Sequence, residues 1–197
     1  MHSIDMYINL GFQHISDLAG YDHILFLLAL CAVYSIDQWR RLFILVTAFT
    51  VGHSITLALS SFGWVVIPSH IIEFLIPVTI LITAIRNVAV PTSDQLTDDQ
   101  TNMTWHYLVE LCFGFIHGIG FSNYFRALMM DSSSITIPLL GFNLGIEIGQ
   151  LLVVSIIVIV ASLVVKFAQV KHRDWNLFIS GAAAGISLVL MNDTAFW

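Results

Sequence analysis

Residues 137–165 read IPLLGFNLGIEIGQLLVVSIIVIVASLVV, an apolar run whose one ionisable residue is Glu147. A helix crosses the roughly 30 Å of bilayer hydrocarbon with about 20 apolar residues. This run is longer than that, so it must tilt or project beyond the hydrocarbon. Working outward, the same reading applies to 42–62, 66–85, 105–125 and 175–191, and to a shorter stretch at 21–36. The composition agrees, with 57% hydrophobic and 10% charged residues, where soluble domains carry about a quarter charged. The expectation is an all-α integral membrane protein, one transmembrane domain over 1–197 forming a six-helix bundle. Ahead of the first span, Ile4, Ile8, Phe12 and Ile15 recur near helical spacing. They predict a short amphipathic helix lying at the membrane interface.

Basic residues orient the bundle. Arg40, Arg41, Arg86, Lys166, Lys171 and Arg173 fall in segments on one side, and Arg126 alone falls on the other. By the positive-inside rule the first set is cytoplasmic and both termini lie outside. The polar segment 91–103 then becomes a cytoplasmic linker between two three-span halves. Met1 to Asp5 lacks the basic region of a secretory signal, so the first helix inserts uncleaved or follows a leader that is removed. No basic block suggests nucleic acid. Cys31 and Cys112 stand far apart in apolar stretches and do not suggest a disulfide framework. Lipid is the expected surrounding partner.

Ionisable groups inside a span are costly and normally face a cavity or one another. Read along the oriented helices, Asp22, His23, His53, Glu73, His117 and Glu147 all fall in the outer half of the membrane. They come from five different spans. Asn143, Glu147 and Gln150 share one face of their helix, and Gly141, Gly145 and Gly149 make an adjacent small-residue face that admits another helix. Pro77 has no N–H for the carbonyl of Glu73. Imidazoles with carboxylates suit zinc, nickel, cobalt, copper or iron, whereas calcium and magnesium prefer all-oxygen shells.

The expected ligands of a divalent transition metal are therefore His23, His53 and His117, with Asp22, Glu73 and Glu147 as ligands or as partners that hold the imidazoles in one tautomer. His14, Ser54, Glu110, Asn143 and Gln150 are expected behind the ligands or along a pathway. The bland reading stays beside this one: a histidine in a membrane helix is often only a hydrogen-bond partner, and Glu–His pairs can neutralise each other or relay protons without metal. His2, His70, His106 and His172 fall near the predicted membrane surfaces and attract no role.

At these residues the chain resembles the HupE/UreJ family of membrane proteins. The stretches that carry the resemblance are GYDHILFLL from Gly20, FTVGHSITL from Phe49, FGFIHGIGF from Phe113 and PLLGFNLGIEIGQ from Pro138. The resemblance implies a six-span bacterial inner-membrane protein associated with nickel or cobalt uptake for hydrogenase and urease maturation. Hydrogenase-type members have a His-Pro where this chain has His14-Ile15, and a glutamate where it has Asn123, so it is nearer a different branch. Two functions lead on the residues, with a proton-coupled or structural assembly protein without metal as a third. One is a metal permease, for which a homo-oligomer would relieve the small size. The other is an intramembrane metallohydrolase acting on a lipid or peptide, with three histidines, an open metal position and Glu147 or Glu73 as general base.

Overall fold

The computed structural model describes residues 4–17, 20–89, 100–129 and 135–196. It is helical, with no strand among the described residues. In chain order the helices are α1 (Ile4–Ser16), α2 (Asp22–Cys31), α3 (Trp39–Ser61), α4 (Ser69–Ala89), α5 (Gln100–Met129), α6 (Thr136–Phe167) and α7 (His172–Asp193), with a short 3-10 turn at Ile36–Gln38 before α3. Among the described residues four segments are long and apolar enough to cross a membrane: Ile36–Ser61, Ser69–Ala89, Thr136–Phe167 and His172–Asp193. The outer surface is that of a membrane protein. On α6, Leu144, Ile148, Leu152, Ile156 and Ile159 form an exposed apolar row, a pattern that suits lipid and would be a liability in water. Of the predicted linker 91–103, residues 100–103 are the first turn of α5 and the rest lies outside the described residues.

Glycines set the tightest contacts. A Cβ on Gly52 of α3 would lie 2.2 Å from the carbonyl oxygen of Leu111, and one on Gly114 of α5 would lie 2.1 Å from that of Phe49. Gly118 meets His53 and Thr56 in the same way. Residue numbers rise together across this seam, so α3 and α5 run parallel in backbone contact, as small-residue faces permit. Across the seam from α4 to α5, Thr79 meets His117 and Arg86 meets His106, so those two run antiparallel.

The N-terminal helix departs from the expectation. A Cβ on Gly145 of α6 would lie 2.0 Å from the carbonyl oxygen of Ile8, and one on Gly11 would lie 2.0 Å from that of Phe142. Thus α1 is packed backbone to backbone along the first half of α6, running parallel to it, and is no free interfacial helix. The small-residue face of α6 receives this helix. The predicted span 21–36 shrinks to α2, ten residues long, or about 15 Å of rise, half a bilayer's hydrocarbon. It lies against α4, where Asn87 donates to the Ala29 carbonyl at 2.7 Å. Both α1 and α2 share the heading of α4 and α6, so they follow one another as two halves of a broken helix. The first half ends at Ser16 and the second begins at Asp22.

Candidate metal centre

The break has a chemical consequence. A continuous helix would carry His14 and His23 about 13 Å apart along its axis. With the chain interrupted between them, the last turn of α1 and the first turn of α2 bring the two rings to a centroid separation of 4.7 Å. His53, fully buried on α3, faces both, and ligand-grade nitrogens of His14, His23 and His53 all lie within 4.8 Å of one another. His117 of α5 stands beside them, its ring 5.1 Å from that of His23. The close α3–α5 seam at Gly52, Gly114 and Gly118 is what lets His53 and His117 approach from neighbouring helices.

The hydrogen bonds around these rings decide which nitrogens are bare. Asp22 Oδ1 accepts the backbone N–H of His23 at 2.9 Å and lies 3.2 Å from its Nδ1. A carboxylate only accepts, so Nδ1 carries the proton and Nε2 presents its lone pair inward. On the far side, Thr79 Oγ1 gives its one proton to the Ile76 carbonyl at 2.7 Å and lies 3.1 Å from His117 Nε2. Nε2 must therefore be the donor to Thr79, which leaves Nδ1 as the lone-pair nitrogen. Among the buried side-chain atoms without a partner are His23 Nε2 and His117 Nδ1, the two this logic leaves bare, together with His14 Nε2 and both nitrogens of His53, one of which holds that ring's proton. Buried polar atoms without partners are costly and rare in native proteins. One imidazole lone pair from each of these rings fits a borderline transition metal ion and does not fit calcium or magnesium.

Two of the carboxylates expected at the site, Glu73 and Glu147, are not in this cluster. Glu147 accepts from Thr47 Oγ1 at 2.7 Å through one oxygen and Gln150 from Thr50 Oγ1 at 2.6 Å, which fastens α6 to α3, while Glu147 Oε2 and Asn143 Oδ1 are buried without a partner. Asn143 donates to its own helix at the Leu139 carbonyl, and Ser54 to the Thr50 carbonyl. Glu73 is exposed, lining a separate cavity of about 240 Å³ with Asp22 and Pro77. Glu110 is buried two turns from His117. Asp22 alone joins the histidines, from behind His23. His14, expected only behind the ligands, is among the three that converge. Thr79 carried no signal in the sequence beyond its place two residues after Pro77.

The site has an approach. His14 lines an open cavity of about 750 Å³ whose wall includes Gln13, Ser16, Asp17 and Tyr124. Phe121 covers the His14 ring at a centroid distance of 4.0 Å and stacks on Phe142 at 4.7 Å. A polar-rimmed mouth thus leads to one imidazole, with the others behind it.

Comparison with known proteins gives one answer at the level of family. No curated protein matches the chain, and no solved structure does. The HupE/UreJ protein family matches over residues 1–194, essentially the whole length, and the chain belongs to that family.

Proposed function

We propose that this protein is a permease for a divalent transition metal of the nickel or cobalt type, and that His14, His23 and His53 bind the ion on its way. The family is associated with nickel and cobalt transport. The observation that carries the reading is the convergence of three imidazoles at a helix break, with their free nitrogens turned toward one another. Broken helices that place ligands near the middle of the bilayer are a recurring device of transporters. In this reading α1 and α2 together make the first of six crossings, and both termini face the outside of a bacterial inner membrane. The cavity beside His14 then opens outward. His117 joins as a fourth ligand through Nδ1, and Asp22 sets the His23 tautomer and offsets part of the ion's charge. A ligand set of neutral imidazoles, with the one carboxylate held behind a ring, suits a cargo that must be released.

The permease is preferred to the hydrolase because neither expected base belongs to the imidazole cluster. Glu147 is bonded to Thr47 through one oxygen, and Glu73 is exposed on a cavity it shares with Asp22. The test is uptake of nickel, cobalt and zinc into sealed proteoliposomes, paired with elemental analysis of the purified protein. Accumulation above empty vesicles, lost in His23→Ala and His53→Ala, is the expected result. Tight metal at one per chain without any uptake would defeat the permease.

A further inference from the structure

Below the histidines the same two helices build a second polar pocket. On α4, Thr79, Thr83 and Arg86 share a face, and on α5 His117, Glu110 and His106 face them. The pocket holds Glu110 with Tyr34, Thr83, Arg86, Asn87 and His106 around about 10 Å³ of space, the size of one water molecule. The Arg86 guanidinium contacts both ring nitrogens of His106, and the Tyr34 hydroxyl lies 3.5 Å from Nδ1. Guanidinium only donates, so His106 meets it as a neutral acceptor.

Glu110 lines the same pocket, with Arg86 across from it. It is 3% exposed, and among the described residues its Oε2 has no hydrogen-bond partner. An ionised carboxyl so placed is expensive, and a carboxylic acid is the affordable form. The groups facing it are Cys31 of α2, Tyr34 just beyond, Arg86 of α4 and His106 of its own helix. Arg41 of α3 acts on Tyr34 and His106.

Between Glu110 and the histidines stands an aromatic plug. Phe26 of α2 stacks on Phe49 of α3 at 4.9 Å and meets Phe113 of α5 edge-on at 6.1 Å. The rings of Phe26 and Phe49 touch His117 from below, at 5.4 and 5.0 Å. Phe113 lies three residues after Glu110 and four before His117. The two polar sites are thus dry toward each other, yet joined along α4: Thr79 holds His117, and Thr83, which lines the lower pocket, donates to the Thr79 carbonyl at 3.0 Å.

Resting on the permease reading, we propose that Glu110 is a proton-carrying site that gives up its proton when a metal dication enters the histidines. Seven helical residues separate Glu110 from His117 by about 10 Å. A double positive charge at that range, at an effective dielectric of about 20, favours the ionised carboxyl by on the order of a hundredfold. The O–H bond breaks, its electron pair stays on the carboxylate, and water at the inner end past His106 and Tyr34 takes the proton. Metal movement one way is thereby tied to proton movement the other.

Infrared difference spectroscopy on the whole protein in lipid vesicles reads this directly, with zinc as the probe. The wild type should show the carbonyl stretch of a protonated carboxylic acid, shifted in heavy water, missing from Glu110→Gln and displaced in Glu110→Asp. Saturating zinc should remove the band from the wild type and spare it in His53→Ala. A band that survives Glu110→Gln, or that persists while calorimetry shows zinc bound, overturns the proposal. Absence of zinc binding overturns both the metal reading and the coupling. Binding with an unchanged band overturns the coupling alone.

Discussion

Thr79 Oγ1 lies 3.1 Å from His117 Nε2 while spending its only proton on the carbonyl of Ile76. One hydroxyl thereby fixes the His117 tautomer and keeps Nδ1 bare. Thr79→Val keeps the shape and removes the acceptor, so its ring is no longer held in one tautomer. Losing such a supporting partner costs about 10- to 100-fold in metal affinity. Cobalt or zinc titration of the purified protein should show that loss, and Thr79→Ser should restore most of it. Equal affinity in Thr79→Val and the wild type would remove Thr79 from the site.

Asp22 does the same for His23 from the other end. Asp22→Asn can present its amide nitrogen as well as its oxygen, and it loses the charge that compensates a bound ion. The expected outcome is a fall of about 10- to 100-fold in zinc affinity, with the fold kept, since Asp22 is only partly buried. Unchanged zinc binding, followed by isothermal calorimetry, would show that Asp22 only caps α2.

Much of this site was legible in the sequence, and what was missed has a physical cause. His53, His117 and the Asp22-His23 pair were readable because an ionisable group inside an apolar run demands an explanation. Position along a helix says nothing of direction around it. Glu147 points at Thr47, and Glu73 lines a cavity away from the clustered imidazoles. His14 was underrated because Ile4, Ile8, Phe12 and Ile15 give the pattern of a surface helix. That apolar face meets α6 instead, and Gly11, Gly141 and Gly145 are what allow it so close. A helix break leaves no periodic signal, so the pairing of His14 with His23 could not be seen from spacing.

The glycine seams separate two kinds of alanine substitution. At Gly52, Gly114 and Gly145 a Cβ would lie 2.0–2.2 Å from a backbone oxygen of the facing helix. Backbone cannot rotate away as a side chain can, so the helices must part and the histidines with them. Gly181→Ala and Gly185→Ala, where nothing lies within 4 Å, should instead gain a few tenths to about 1 kcal/mol from helix propensity. Thermal unfolding in detergent should show Gly52→Ala and Gly145→Ala melting well below the wild type, with Gly185→Ala at or above it. Equal melting of all three would mean that these seams are looser than described.

Glu147→Gln discriminates between the expected ligand set and the one the fold assembles. If the glutamate bound metal directly, removing its charge should cost a large part of the affinity. In the structure it accepts a hydrogen bond from Thr47, one helix away from the clustered imidazoles, and a glutamine oxygen can accept the same bond. Zinc affinity in Glu147→Gln should therefore stay within about fivefold of wild type, since a neutral hydrogen bond differs from a charged one by only about 1 kcal/mol. His53→Ala, measured beside it, should abolish binding. A Glu147→Gln protein that unfolds normally yet holds no zinc would return the carboxylate to the metal and displace His14 from it.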